Sequence, residues 1–81
     1  MTEQEAQGLG LRLSRIRLPV RTLAQRAGCN EATISNHVQG TRRMSERIER
    51  DVKSALVDEE LAVLDHLARL HPRAALQSAQ A

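Results

Sequence analysis

The sequence predicts an all-α protein, a compact bundle of about five helices near residues 9–17, 20–27, 31–39, 45–56 and 59–70. Three observations carry this prediction. Apolar residues recur three and four positions apart, the period of a helix that buries one face. The chain has no Phe, Tyr or Trp, so a core must come from eleven Leu, five Val, three Ile and the alanines, a composition that favours packed helices. Gly and Pro punctuate the periodic stretches at Pro19, Gly28, Gly40 and Pro72, where helices would begin or stop. Eighty-one residues suit one domain, and a chain this short removes only about 60% of its unfolded surface from water, which leaves little room for a large catalytic cleft.

Thr2 and Glu5 have the form of a capping box, but Gly8 and Gly10 interrupt anything long that it starts, so 1–8 is expected to be a flexible N-terminus. Leu9, Leu13 and Ile16 share a helical face, with Arg12, Arg15 and Arg17 on the others. Pro19 ends that helix and suits the start of the next, in which Val20, Leu23, Ala24 and Ala27 form an apolar stripe up to Gly28. Asn30 is a good N-cap for a third helix whose buried side is Ile34 and Val38, and Gly40 stops it. The turn between helices two and three is therefore very short. Ser45 can cap a fourth helix carrying Met44, Ile48, Val52 and Leu56 on one side, with Glu46–Arg50 and Glu49–Lys53 as supporting pairs four apart. Asp58, Glu59 and Glu60 place negative charge where a fifth helix would welcome it, followed by Leu61, Leu64, Leu67 and Ala68. No Gly or Pro separates helices four and five, so one long helix from 45 to 70 stands as the alternative. Pro72 closes the segment, and 72–81 is expected to be a loose tail.

Charge is unevenly placed. From Arg12 to Arg43 there are seven arginines and one acid, Glu31, a local charge of +6, whereas Glu46 to Asp65 carries −4. Such a two-sided molecule turns one face toward a polyanion. The missing aromatics argue against readers of single strands, which stack bases on aromatic rings. Cys29 is the one cysteine, so no internal disulfide is available and a reducing cytoplasm is expected. No apolar run approaches the roughly 18 residues of a membrane span, and Met1 to Gln7 is polar rather than signal-like, so no membrane partner is expected.

The stretch Leu23-Ala24-Gln25-Arg26-Ala27-Gly28-Cys29-Asn30-Glu31-Ala32-Thr33-Ile34-Ser35 resembles the helix-turn-helix of the phage lambda repressor and Cro class. The residue types have a physical logic. Ala24 is small where two helices would cross closely, Gly28 supplies a left-handed turn, and Ile34 anchors the second helix on the first. Continuing through Val38, Ser45, Val52 and Ala55, the sequence also resembles the headpiece of the lac repressor family; together the two likenesses cover about residues 9 to 56. The effector domain and hinge of lac-type regulators have no counterpart here. His37 stands where these families usually place an aliphatic residue, Cys29 where Val is common, and Val20 where lambda-type proteins often carry a phosphate-contacting Gln.

The resemblance implies that 9–56 is a domain for double-stranded DNA, in a bacterial or phage-encoded, nucleoid-associated protein acting as a transcriptional repressor. It implies that Glu31, Ala32, Thr33, Ser35, Asn36 and Gln39 face base edges in the major groove, and that Arg21, Thr22, Arg42 and Arg43 hold phosphates. Asn36 or Gln39 would pair with adenine, Glu31 would accept from cytosine, and Ala32 or the Thr33 methyl would touch thymine.

Proteins of this class read palindromic half-sites as dimers, and 57–71 is expected to be the dimerisation helix. Val57, Leu61, Leu64 and Ala68 form one stripe and Val63, Leu67 and Leu70 an adjoining one, with one stripe expected to pack inward and the other to form a two-fold interface between identical copies. Cys29, His37, His66 and His71 lack metal-ligand spacing, and Ser35, Ser45 and His37 show no nucleophile, base and orienter arrangement. No metal, cofactor or enzymatic activity is expected. Cys29 reads instead as a small core residue and His37 as a residue at the core's edge. Two other functions stay open: an assembly module with a helix-turn-helix, such as an antitoxin or a phage packaging subunit joined to an unidentified protein partner, and an architectural binder that coats DNA by charge alone.

Overall fold

A computed structural model describes residues 8–74, all helix and connecting turns with no strand among them. The helices are α1 (Leu9–Arg15), α2 (Val20–Ala27), α3 (Glu31–Gln39) and α4 (Glu46–Leu70). The capping box at Thr2 and Glu5 and most of the segments 1–8 and 72–81 lie outside the described residues.

The first three helices end by the same device. After α1, Arg17 takes a left-handed conformation (φ 54°), and the Leu18 N–H donates to the Leu13 carbonyl at 3.0 Å. After α2, Gly28 does so (φ 73°), with Cys29 N–H donating to the Ala24 carbonyl at 3.0 Å. After α3, Gly40 does so (φ 76°), with Thr41 N–H donating to the Asn36 carbonyl at 2.9 Å. Each closure satisfies a carbonyl that the end of a helix would otherwise strand. Only at α1 is the left-handed residue not Gly, and this stop places the helix end at Arg15, two residues before the expected one. The starts are capped as their residues suggest. The Asn30 side chain accepts from Ala32 N–H at 2.9 Å, and the Ser45 hydroxyl accepts from Ile48 N–H at 3.3 Å, each satisfying an orphan donor.

Gly10, which interrupts any helix begun at Thr2, lies inside α1. A Cβ built there would sit 3.0 Å from Cγ1 of Val38, so the missing side chain lets α1 approach α3 closely. Val38, expected on the buried side of α3, is instead exposed, because only the edge of α1 lies against it.

Where two helices, 45–56 and 59–70, were expected, α4 runs unbroken from Glu46 to Leu70. Asp58, Glu59 and Glu60 do not begin a new helix. Instead, Glu60 receives Arg12 from α1, with Nε donating to Oε2 at 2.9 Å and Nη2 to Oε1 at 2.5 Å, and Glu59 receives Arg26 from α2 at 2.6 Å. The acids bind α1 and α2 to the middle of α4. The helix ends at His71, whose backbone leaves the helical region immediately before Pro72, as the residue before a proline tends to do. Helical residues resume at 72–74, at the edge of the described region.

The core is aliphatic: Leu13, Leu23, Ala24, Ile34, Val52, Ala55 and Leu56 are buried. α2 lies at its centre and packs on both α3 and α4. Ala24 is the small residue at this junction, where a longer side chain would hold the helices apart. Cys29 and Met44 pack against the core from its margin. The core draws only on the first three turns of α4, and beyond Leu56 the helix projects past it. Val57, Leu61, Leu64, Leu67 and Leu70 are all exposed, so neither expected stripe is covered, and of their seven residues only Val63 and Ala68 are half-buried.

Candidate nucleic-acid interface

α3 owes its orientation to one side chain. Ile34 is fully buried, and helical geometry therefore turns Ala32, Asn36 and Gln39 to the opposite side, with Thr33 and Ser35 flanking them. Ala32 and Gln39 are exposed, while Thr33, Ser35 and Asn36 are half-buried. His37 is half-buried on the inner flank.

The basic loop after α3 is tied back to the same helix. Thr41 N–H and its hydroxyl donate to the Asn36 carbonyl at 2.9 and 3.1 Å, and Arg42 N–H reaches it at 3.4 Å. This fastening brings Arg42 and Arg43 to the rim of a groove of about 620 Å³ whose other wall is Asn30, Ala32, Thr33 and Asn36, with Met44, Ser45 and Ile48 along its base. Arg42 and Arg43 are exposed and form no ion pair among the described residues. The groove thus unites three of the expected base readers with two of the expected phosphate ligands. Ser35 and Gln39 lie outside it, and so do Arg21 and Thr22 on the first turn of α2. Asn30, Met44 and Ser45 were not singled out as site residues; the sequence marks them only as cap and core positions.

Glu31 departs from its expected setting. Its Oε2 lies 3.8 Å from Nε of Arg21, both side chains well exposed, so this acid neighbours the cation at the start of α2. A pair this long and exposed contributes little. Of the two expected i,i+4 pairs on the first half of α4, Glu49–Lys53 forms at 3.0 Å, and Glu46–Arg50 is not among the ion pairs of the described residues. The Lys53 hydrogen bond and charge hold the Glu49 carboxyl below the usual carboxylate range, with His37 and Arg43 adding smaller attractions.

The arginine-rich segment divides in two. Arg12 and Arg26 are engaged by Glu60 and Glu59, while Arg15, Arg17, Arg42 and Arg43 are exposed and form no ion pair among the described residues. Hydrogen bonding to Glu60 raises the Arg12 pKa, and the same bonds hold the Glu60 carboxyl below its ordinary range against the opposing effect of burial. Burial pushes the Cys29 thiol up, helped by the negative charge of Asp51.

Among the described residues no group of three or more His, Cys, Asp or Glu is placed to hold a metal ion, and no helix is long and apolar enough to cross a membrane. Comparison of the chain with protein-family models, curated proteins and solved structures finds no match.

Proposed function

We propose that the chain is a sequence-specific regulator of transcription that binds double-stranded DNA, acting as a repressor whose homodimer occupies a palindromic operator. α3 is the reading helix, inserted in the major groove. The observation that carries this is the ridge of Ala32 and the amides Asn36 and Gln39 turned away from Ile34, with unpaired arginines beside it on a loop fastened to the same helix. Amide side chains on such a ridge match the donor and acceptor pattern of adenine, while guanidinium groups alongside hold phosphates without reading sequence. Diversion of Arg12 and Arg26 to α4 supports the same polarity, because it leaves the unpaired positive charge on Arg15, Arg17, Arg42 and Arg43. Glu31 beside Arg21 fits a positioning role better than base reading.

Selection of bound duplexes from a random pool tests the proposal. A palindromic consensus is expected, with half-sites about 34 Å apart. On that consensus, Asn36→Ala or Gln39→Ala should cost about 1–3 kcal/mol and relax preference at one base, whereas Arg43→Ala should weaken all duplexes alike and lower the salt slope by about one. Equal affinity for every duplex would favour the architectural alternative, and absence of duplex binding would favour an assembly module.

A further inference from the structure

The last four turns of α4 leave five large apolar side chains 41–60% exposed: Val57, Leu61, Leu64, Leu67 and Leu70. Together they present on the order of a few hundred Å² of apolar surface, a size that on a small soluble protein marks an interaction site. Their spacing has a centre. Taking Leu64, the most exposed of them, as origin, Leu61 and Leu67 lie three residues to either side and form a symmetric triad, while Val57 and Leu70, seven before and six after, extend the surface without matching each other. A helix running antiparallel to a copy of itself sees its own pattern reversed, and a pattern symmetric about one residue is complementary to that reversal. The charges follow the same sense. Asp58 stands at one end of the set without an ion pair among the described residues, and Arg73 stands at the other beside Arg69, whose guanidinium pairs with Asp65 of its own helix at 3.0 Å and carries further donors. Two parallel copies would set Asp58 against Asp58 and Arg69 against Arg69. Antiparallel copies set acid against base, and their helix dipoles oppose favourably as well.

We infer that this face docks a second copy of the chain, with the two α4 helices antiparallel, Leu64 at the two-fold axis, Leu61 against the partner's Leu67, and Asp58 near the partner's Arg69. The inference deepens the proposal above by naming the surface through which two reading helices are joined, and its test uses no DNA. Failure here is therefore distinguishable from failure of α3 to read a duplex.

The full-length protein should sediment as a dimer at tens of micromolar. Leu64→Glu places two like charges together at the axis and should raise the dimer dissociation constant at least about 100-fold, with helix content unchanged because Leu64 is exposed. Orientation is read by oxidative cross-linking in a Cys29→Ala background. Leu64→Cys should give a covalent dimer, whereas Val57→Cys should not, since antiparallel packing separates the two copies of residue 57 by about twice seven helical rises, roughly 20 Å. A monomer at these concentrations, a Leu64→Glu protein that stays dimeric, or a Val57→Cys protein that cross-links as readily as Leu64→Cys would each overturn the assignment.

Discussion

Glu60→Gln is the perturbation most revealing of how this small bundle holds its first helix. Arg12 and Glu60 meet through two hydrogen bonds, with side chains 19% and 29% exposed. Ion pairs in full solvent are worth about 0–1 kcal/mol, and breaking a fully buried one costs about 3–5 kcal/mol. A two-pronged pair at this intermediate exposure should therefore contribute about 1.5 kcal/mol of coupling. In a domain of this size that corresponds to a melting-temperature loss of roughly 6–12 °C. The assay is a double-mutant cycle on thermal unfolding followed by far-UV circular dichroism, with Glu60→Gln, Arg12→Met and the double variant; Met retains most of the aliphatic stem. The pH dependence has a definite sign. Because Arg12 lowers the Glu60 pKa from its ordinary 4.5, the stabilisation is complete above that value and drains as pH falls through the depressed one. The parent should thus lose more stability on acidification than Glu60→Gln does. A coupling below about 0.3 kcal/mol, within the scatter of independent sites, together with parallel acid titrations of the two proteins, would refute the clamp.

Other consequences follow from the backbone and from Cys29. Gly28→Ala meets nothing within 4 Å but forces an L side chain into the left-handed region, so it should cost about 1 kcal/mol or more by denaturant titration. Gly28→Asn should recover part of that loss, and equal losses for the two would point to packing instead of φ. Arg17→Gly is the converse: relief of about 1–2 kcal/mol of left-handed strain, offset by about 0.5–1 kcal/mol of added chain entropy, should raise the melting temperature by a few degrees. A lower melting temperature would show that the Arg17 side chain stabilises more than its conformation costs. Cys29, with its thiol pKa raised, should react with a thiol reagent at neutral pH more slowly than an unhindered model thiol, and a faster reaction would contradict the environment described.

Much of the local architecture is legible from neighbouring residues. Asn30 and Ser45 cap, Gly28 and Gly40 terminate, and Ile34 anchors, because each of these roles is settled within a turn or so of chain. The outward set on α3 follows from Ile34 alone once the helix is granted. Arg17 was less legible, since arginine carries no mark of a left-handed residue; the closure of α1 by Leu18 onto Leu13 imposes it. The groove rim formed by Arg42 and Arg43 depends on the Asn36 carbonyl gathering the loop, and a backbone acceptor leaves no trace in side-chain pattern.

Helix period, caps, turn glycines and the crowding of arginines before Arg43 were set by residue order, because all of them act over a few positions along the chain. The fate of particular charges was decided in three dimensions. Arg12 and Glu60, 48 positions apart, could equally have faced solvent, and the acids expected to start a helix lie in the middle of a continuous one, where Glu59 and Glu60 receive arginines from α2 and α1. The apolar pattern of α4 likewise reads the same before and after Leu56. Only the finite reach of α1–α3 makes its first half core and its second half open surface, because burial depends on what lies opposite a side chain as well as on the side chain itself.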